Sequence, residues 1–298
     1  MPQAENFSFL ALILIAYLLV RKGFGVKAFD NIPKLLFNLC MPALILVSFS
    51  GMDSEISSQD TLFVSVFAVA YTLPVYLAAR YALRRYQNTA RKETIALNMI
   101  IGNTSFVGLP FIFYFFGSWG VRLTILFSVV QDVFLWSLCY SMFAGTRSVK
   151  QTLKVVMNPC FVAIVVSFAL AGLRLEIPDI IRPPIDMLAN MTVPLALLCI
   201  GSLLAQHTSA LRNIDRDAII SVAVKTFALP TVVFFIFITI GMSLELTLLS
   251  TFITALPAGL ISVIFAKEFD KDVAFANVAF MLSTLTFILL CVTLLIFI

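Results

Sequence analysis

The chain has 298 residues, of which 61% are hydrophobic and 12% charged, and its formal net charge is +4. Globular proteins are roughly half apolar and a quarter charged, so this composition excludes an ordinary soluble enzyme, and the small net charge excludes nucleic acid as a partner bound by bulk charge. Apolar runs of about 20 residues without alternation favour membrane-spanning helices over barrel strands. We therefore predict an all-α polytopic protein whose surroundings are the lipid bilayer.

Hydropathy predicts ten transmembrane helices when Gly, Pro and charge clusters are used as boundaries. The predicted spans cover about residues 7–20, 33–50, 61–80, 93–116, 121–143, 154–172, 184–205, 217–240, 246–266 and 273–297. The first apolar segment follows an uncharged start without a basic region or a cleavage signature, which indicates a retained span rather than a signal peptide.

The basic residues predict the orientation of these spans. Sixteen of the 20 Lys and Arg residues fall in the odd-numbered loops, three (Arg122, Arg174 and Arg182) fall in even-numbered loops, and Lys225 lies inside span 8. Because Lys and Arg are retained on the cytoplasmic side, this asymmetry places the odd loops inside and both termini outside. We expect a multi-pass protein of the plasma (inner) membrane.

The two halves of the chain resemble each other at an offset near half its length. Three proline pairs occur in matching order: Pro42 with Pro194, Pro74 with Pro230, and Pro110 with Pro257. Five spans in each half make the second half cross in the opposite sense, which predicts two inverted five-helix repeats at 1–150 and 151–298, the usual organisation of secondary transporters. The alternative is that the offsets are coincidental, since Pro is common in membrane helices.

Spans 4 and 9 carry the clearest local signals. Span 4 contains Asn98, Gly102, Asn103, Thr104 and Pro110, and span 9 contains Pro257 and Ala258. These polar, Gly- and Pro-interrupted stretches predict broken helices that cross at the midplane, where freed N–H groups and the positive ends of half-helices attract an anion. The alternative is a pair of kinked helices with small packing faces.

Two ionisable residues lie at membrane depth. Burying a charge there costs a few kcal/mol of free energy, so each is expected to have a partner or a functional role. Asp132 follows Gln131 in span 5, and Lys225 lies about eight residues into span 8. One interpretation is a structural ion pair or two anchors. Another has Asp132 bind a driving proton or cation while Lys225 neutralises an anionic substrate, and a third has Lys225 extend toward the cytoplasm.

Several motifs of the chain resemble those of the auxin efflux carrier family. The resemblance is to its bacterial branch in particular, which is similar to PIN-type auxin exporters. The matching motifs are Asn38 to Pro42, Gly102-Asn103-Thr104, Gly108-Leu109-Pro110, Val130-Gln131, Asn158-Pro159, Pro194 with Gly201-Ser202-Leu203-Leu204, Lys225 before Pro230, Leu256-Pro257-Ala258-Gly259 and Phe265-Ala266-Lys267-Glu268-Phe269. The resemblance extends over the full length. Span 3 departs from the plant members because residues 61–80 contain no acidic residue.

The resemblance implies the fold of bile acid sodium symporters, with a scaffold of spans 1, 2, 6 and 7, a transport unit of spans 3–5 and 8–10, and an elevator movement. It implies that the amide of Asn103 contacts a substrate carboxylate. We expect Gly102, Thr104, Pro110, Pro257, Ala258, Gln131 and Lys225 to line the same site, and Asp132 and Asn98 to support it or to handle coupling. We further expect a homodimer that forms through the scaffold.

The predicted function is therefore secondary transport of a small organic anion, either a dicarboxylate or an auxin-like acid, with a proton or sodium as the coupling ion. The alternatives are a sodium-coupled bile-acid-type symporter and a non-transporting membrane sensor. No nucleotide-binding, metalloprotease or nucleophile motif is present in the sequence, so we predict neither an enzyme nor a cofactor or bound metal.

Overall fold

The computed structural model describes residues 2–24, 29, 31–49, 58–134, 159–173 and 175–297, and these residues are organised as helices. The α-helices are α1 Pro2–Arg21, α2 Ile32–Leu35, α3 Met41–Phe49, α4 Ser58–Ala82, α5 Thr89–Ile100, α6 Leu109–Phe134, α7 Pro159–Gly172, α8 Arg182–His207, α9 Arg216–Ala223, α10 Leu229–Thr239, α11 Leu244–Ala255, α12 Leu260–Glu268 and α13 Val273–Phe297. Three π-helical turns are π1 Leu36–Cys40, π2 Thr104–Gly108 and π3 Val224–Ala228, and one 3₁₀ helix covers Thr208–Asn213.

The all-helical prediction is confirmed for the described residues. Six helical stretches are long and apolar enough to cross a membrane: Ile32–Phe49, Gln59–Ala82, Phe106–Asp132, Arg182–Asn213, Arg216–Thr239 and Val273–Leu294. Leu10–Arg21, Pro159–Leu170 and Leu244–Ala255 are shorter apolar helices. The stretch through α6 is interrupted at Gly117, whose φ of 60° is non-helical, at the predicted boundary of spans 4 and 5. The end of span 5, at residues 135–143, lies outside the described residues, and the ten-span count stays a prediction.

The chain divides into two compact units. The first unit comprises Met1–Ala68 and Leu109–Ala205, and the second comprises Val69–Gly108 and Gln206–Ile298. The second unit thus contains predicted spans 8–10 with the end of span 3 and the first part of span 4. The division into inverted repeats and the assignment of a scaffold and a transport unit remain predictions.

The prolines predicted as repeat pairs do not share local structure. Pro42, Pro110 and Pro230 are each the second residue of an α-helix that follows a π-turn, whereas Pro74 and Pro194 lie within continuous α-helices. Proline lacks an N–H group and its ring clashes with the carbonyl four residues earlier, and a π-turn accommodates both by widening the preceding turn. The two prolines of each predicted pair lie in different local conformations. The local geometry at these prolines therefore gives no support to the predicted repeat.

In the first unit, two buried polar side chains bind backbone carbonyls of neighbouring helices. Arg122 is buried, and its guanidinium donates to the Ser48 carbonyl near the end of α3 at 2.9 Å. Thr192 of α8 donates to the Cys40 carbonyl at 3.0 Å. A cation is favourable at the carboxyl end of a helix, where carbonyls lack intrahelical partners. The topology prediction counted Arg122, at the start of span 5, with an even-numbered loop; this is wrong, because Arg122 is a buried residue of α6 that caps α3.

In the second unit, Arg91 connects the first turns of three helices. Its guanidinium hydrogen-bonds Asp215 and lies 3.3 Å from Asp217 and 3.9 Å from Asp272. Asp215 accepts a hydrogen bond from Ala218 N at the start of α9, and Asp272 accepts one from Phe275 N at the start of α13. These carboxylates also stabilise the positive ends of their helices. Arg91 therefore fixes α5, α9 and α13 to one another.

The cluster shifts the pKa values of its members. Burial alone would raise the pKa of Asp215, but the hydrogen bonds from Arg91 and from the Ala218 backbone outweigh burial and lower it. A hydrogen bond to Asp217 raises the pKa of the Tyr86 hydroxyl. A lowered carboxyl pKa means that the ionised form is favoured by the fold.

We expect Asp215→Asn to destabilise the protein at neutral pH by up to about 1 kcal/mol, because asparagine keeps the helix cap but removes the charge facing Arg91. Since the folded pKa is below the unfolded value of about 3.9, the contribution of Asp215 is present above that value and is lost as the pH falls through the folded pKa. The difference in melting temperature between the variant and wild type in detergent should therefore be present at pH 7 and shrink progressively as the pH is lowered below about 4.

Asp186→Asn is the control for this experiment. Asp186 lies 3.8 Å from Arg182 in a solvent-exposed pair within α8, and such pairs contribute little to stability. A difference between Asp215→Asn and wild type that did not change with pH would contradict the assigned role of the ion pair.

Candidate functional site

Both predicted helix breaks are present in the second unit. α5 ends at Ile100, and Ile101 is extended, with φ −100° and ψ 117°. α11 ends at Ala255, and Leu256 is extended, with φ −52° and ψ 140°. Leu256 precedes a proline, whose ring disfavours the helical conformation for the residue before it, and proline itself offers no N–H to continue the helix.

The two breaks pair with each other as a short antiparallel bridge between Gly102 and Ala258. Asn103 N donates to the Pro257 carbonyl at 2.7 Å, and Gly259 N donates to the Ile101 carbonyl at 3.1 Å. These bonds satisfy backbone groups that the breaks release, as membrane depth requires. Ala258 N donates a hydrogen bond to the Ser283 hydroxyl oxygen of α13 at 3.0 Å.

Two glycines lie in close contact with neighbouring side chains where the two breaks meet. A Cβ at Gly108 would lie 2.7 Å from Leu256 Cδ1, and one at Gly259 would lie 2.9 Å from Ile101 Cγ2 and 3.2 Å from the Gly102 carbonyl oxygen. Separations below about 3 Å are repulsive, so a side chain at Gly259 would have to displace Ile101, whereas a side chain at Gly108 would have to turn the end of the Leu256 side chain away. Gly108 of span 4 thus leaves room for the Leu256 side chain, and Gly259 of span 9 lets its backbone approach Gly102.

Asn103 lies at the bridge with half of its amide unused. The residue is 4% exposed, and its Oδ1 accepts a hydrogen bond from Phe106 N at 3.3 Å. That bond identifies which amide atom is the oxygen, because Phe106 N can only donate. Nδ2 is buried and has no hydrogen-bond partner among the described residues. The unsatisfied half of the side chain is a donor, which suits an anionic acceptor.

A helix amino terminus follows the second break. α12 begins at Leu260 after Gly259, whose own N–H is used in the bridge. In the described part of the chain, no partner is found for the backbone N–H groups of Leu260 and Ile261. Free N–H groups and the positive dipole end make such a terminus favourable for negative charge.

Other predicted site residues of the second unit are also buried. Thr104 is 8% exposed and Asn98 is 2% exposed. Asn98 has no partner at either amide atom, and the Thr226 hydroxyl likewise has none, among the residues described. A buried polar group without a partner costs about 1–3 kcal/mol, so these groups indicate a place for a ligand or ordered water.

Lys225 is buried at 3% exposure within π3. Its Nζ donates to the Met99 carbonyl at 3.2 Å, in the last turn of α5. Within the described second unit it forms no ion pair with a carboxylate. The predicted interpretation as a lysine extending to the cytoplasm is wrong, because the ammonium is enclosed and bound to a helix end.

Three predicted site residues belong to the first unit. Pro110 is buried as the second residue of α6 rather than in the unwound segment, which contradicts the expectation that it marks the break. Gln131 is 8% exposed, whereas the next side chain, Asp132, is exposed. The predicted roles of these residues in binding and coupling stay predictions.

Sequence reasoning missed two residues that shape the site. Leu256 fills the space between the glycines, and Ser283 holds Ala258 through its hydroxyl. The only signal for Ser283 is a hydroxyl within a highly apolar span. Such residues commonly bind within their own helix, and Ser283 also donates to the Phe280 carbonyl at 3.2 Å.

Comparisons with known proteins agree over most of the chain. The family model described as membrane transport protein matches residues 7–298. A protein of Methanothermobacter thermautotrophicus described as an uncharacterized transporter is 23% identical over 286 residues, which is 93% of this chain and 92% of that protein. The family match includes both helix breaks and the bridge between them.

Proposed function

Because this chain belongs to the membrane transport protein family, the auxin efflux carriers of the resemblance, we propose that it carries a small organic carboxylate and binds it at the bridge between the two broken helices. The protein is a membrane transporter and not an enzyme. The observation that carries the proposal is the buried, unpartnered Nδ2 of Asn103 beside the bridge.

The chemistry of the site supports an anion. A carboxylate that leaves water must receive donors of comparable strength. Asn103 Nδ2 and the free N–H groups of α12 are donors, and the acceptor half of Asn103 is already bound to Phe106. A cation beside the bridge would face the positive end of α12 and not an acceptor. The free donor groups there therefore favour negative charge.

The proposed transport cycle is elevator-type alternating access of a transport unit against a scaffold, as the resemblance implies. In support of it, the second unit holds both breaks, the bridge and Lys225 within one compact body. Arg91 further fixes three helices of that unit to one another. A body that keeps its binding site intact can move as a unit.

The first test is a melting-temperature screen of purified protein in detergent against malonate, malate and indole-3-acetate. We expect at least one of these carboxylates to stabilise the protein, because a ligand that binds only the folded state raises its stability. The labelled acid should then accumulate saturably in proteoliposomes. Saturable binding without flux would instead identify a membrane sensor, and no response to any carboxylate would contradict the proposal.

A further inference from the structure

Lys225 replaces a hydrogen bond that the break in α5 removes. In a continuous helix, the Met99 carbonyl would accept from the N–H four residues later, which is that of Asn103. Asn103 N instead donates to the Pro257 carbonyl at 2.7 Å. The released Met99 carbonyl accepts from Lys225 Nζ at 3.2 Å. The ammonium therefore binds a group that is free because the bridge exists.

The surroundings of Lys225 suit a positive charge for reasons other than ion pairing. The carboxyl end of a helix carries partial negative charge and carbonyls without intrahelical partners. In transporters with broken helices, such half-helix carboxyl ends are where a coupling Na⁺ is coordinated.

We propose that the Lys225 ammonium is a tethered cation that occupies this place permanently, so that the protein needs no dissolved Na⁺ there. An ammonium and a Na⁺ both require oxygen ligands around one positive charge. Because the ammonium is attached to the lysine side chain, the entropic cost of capturing an ion from solution is removed. The consequence that anion transport is independent of Na⁺ rests on the proposed function. The proposal that Lys225 occupies a cation site does not depend on the proposed function.

The position of the ammonium depends on the π-turn. Lys225 lies in π3, immediately before the Leu229-Pro230 start of α10. A π-turn inserts one residue into a helix and rotates the side chains before it relative to those after it. The turn that accommodates Pro230 thus contributes to the direction in which Lys225 points, although this proline lies five residues away.

A groove of about 460 Å³ in the second unit reaches two residues next to the Lys225 ammonium, although Lys225 itself does not line it. Met99 and Val224, the neighbours of the Lys225–Met99 hydrogen bond, line the groove. Its lining is largely apolar, so a small alkylammonium can enter it.

The test is chemical rescue of Lys225→Ala. This change removes three methylenes and the ammonium, which is the composition of propylammonium. We expect Lys225→Ala to lower the melting temperature in detergent, and propylammonium chloride to restore at least half of the loss. Choline chloride at the same ionic strength, which is too large, and 1-propanol, which is uncharged, should not. Sodium chloride should stabilise the variant above choline chloride but leave wild type unchanged.

Two matched variants control for packing and for general salt effects. Lys225→Met keeps the volume without the charge, so no space is left and propylammonium should not rescue it. Lys267→Ala removes an exposed lysine of α12 and should neither destabilise the protein nor respond to the amine. Rescue of Lys225→Met, or no selective rescue of Lys225→Ala, would overturn the proposal.

Wild-type protein provides a second measurement if Lys225→Ala does not fold. A melting temperature that is equal in sodium and choline chloride supports a tethered cation, whereas specific stabilisation by Na⁺ overturns it. These measurements use no organic anion. Failed rescue with intact carboxylate transport would therefore reject the tethered cation alone, and successful rescue without carboxylate binding would reject only the proposed function.

Discussion

Replacing Asn103 with alanine is expected to weaken binding of the proposed carboxylate substrate by roughly ten- to a hundredfold, because a hydrogen bond to a charged group contributes about 1.5–3 kcal/mol. Asn103 is 4% exposed, and the hydrogen bond from Phe106 N to its Oδ1 orients the amide. The other amide atom, Nδ2, has no partner among the described residues. The direction of the amide is thus fixed without a ligand, so little ordering cost would offset a hydrogen bond to the proposed anion.

Asn103→Asp gives a sharper result than alanine. Aspartate has nearly the same shape and can still accept from Phe106 N, but it presents a carboxylate oxygen where Nδ2 now presents two donors. Like charges at this separation repel, so binding should be abolished while the local fold is kept. The measurement is the melting-temperature response to the stabilising acid, followed by uptake in proteoliposomes.

Asn277→Ala is the control for the Asn103 variants. Asn277 is a partly buried asparagine of the same unit, and its Nδ2 donates to the Val273 carbonyl of its own helix at 3.0 Å. Its loss should leave the acid response unchanged. If Asn103→Ala behaved like this control, with unaltered affinity and uptake, the anion would bind elsewhere.

Gly201→Ala is expected to destabilise the first unit by about 3 kcal/mol, the upper part of the range for overpacking. A Cβ at Gly201 would lie 2.2 Å from the Ile13 carbonyl oxygen and 2.9 Å from Ala16 Cβ. The first contact is with the backbone, so no rotamer change relieves it, and α1 and α8 must separate. Membrane helices pack through small residues because no hydrophobic force holds them together in lipid.

The measurement is the melting temperature of purified protein, together with the fraction that remains monodisperse in detergent. Gly23→Ala is the control: Gly23 has φ +78° and nothing within 4 Å of the added Cβ. It should cost only the conformational term of about 1–2 kcal/mol for a left-handed residue. An effect of Gly201→Ala no larger than that of Gly23→Ala would contradict the close approach of α1 and α8.

The local signals near the breaks were sufficient to locate them but not to define their roles. Gly102 and Pro257 predict interruption, since glycine weakens a helix and proline forces the preceding residue out of it. Pro110 carries the same signal, yet it starts a helix, because proline is also favoured in the first turn. Sequence alone does not distinguish these two uses of proline.

The buried charges show the same difference between location and role. A lysine inside an apolar span is predictably enclosed, because its exposure to lipid is costly. Its acceptor is Met99, which is 126 residues away in the chain and is free only because Asn103 N is diverted to Pro257. Arg122 was assigned to a loop from its sequence neighbours, but it binds Ser48, 74 residues earlier.

Hydropathy, proline and glycine were enough to predict a helical membrane protein with interruptions near Gly102 and Pro257, because these signals act through local backbone energetics, and the family motifs then indicated a transporter. Three features required the three-dimensional fold: the interruptions pair through Gly102 and Ala258, Asn103 keeps a free donor, and Lys225 caps α5. Each of these depends on which distant backbone groups meet, and a hydrogen bond between distant residues leaves no periodic trace in the chain that forms it.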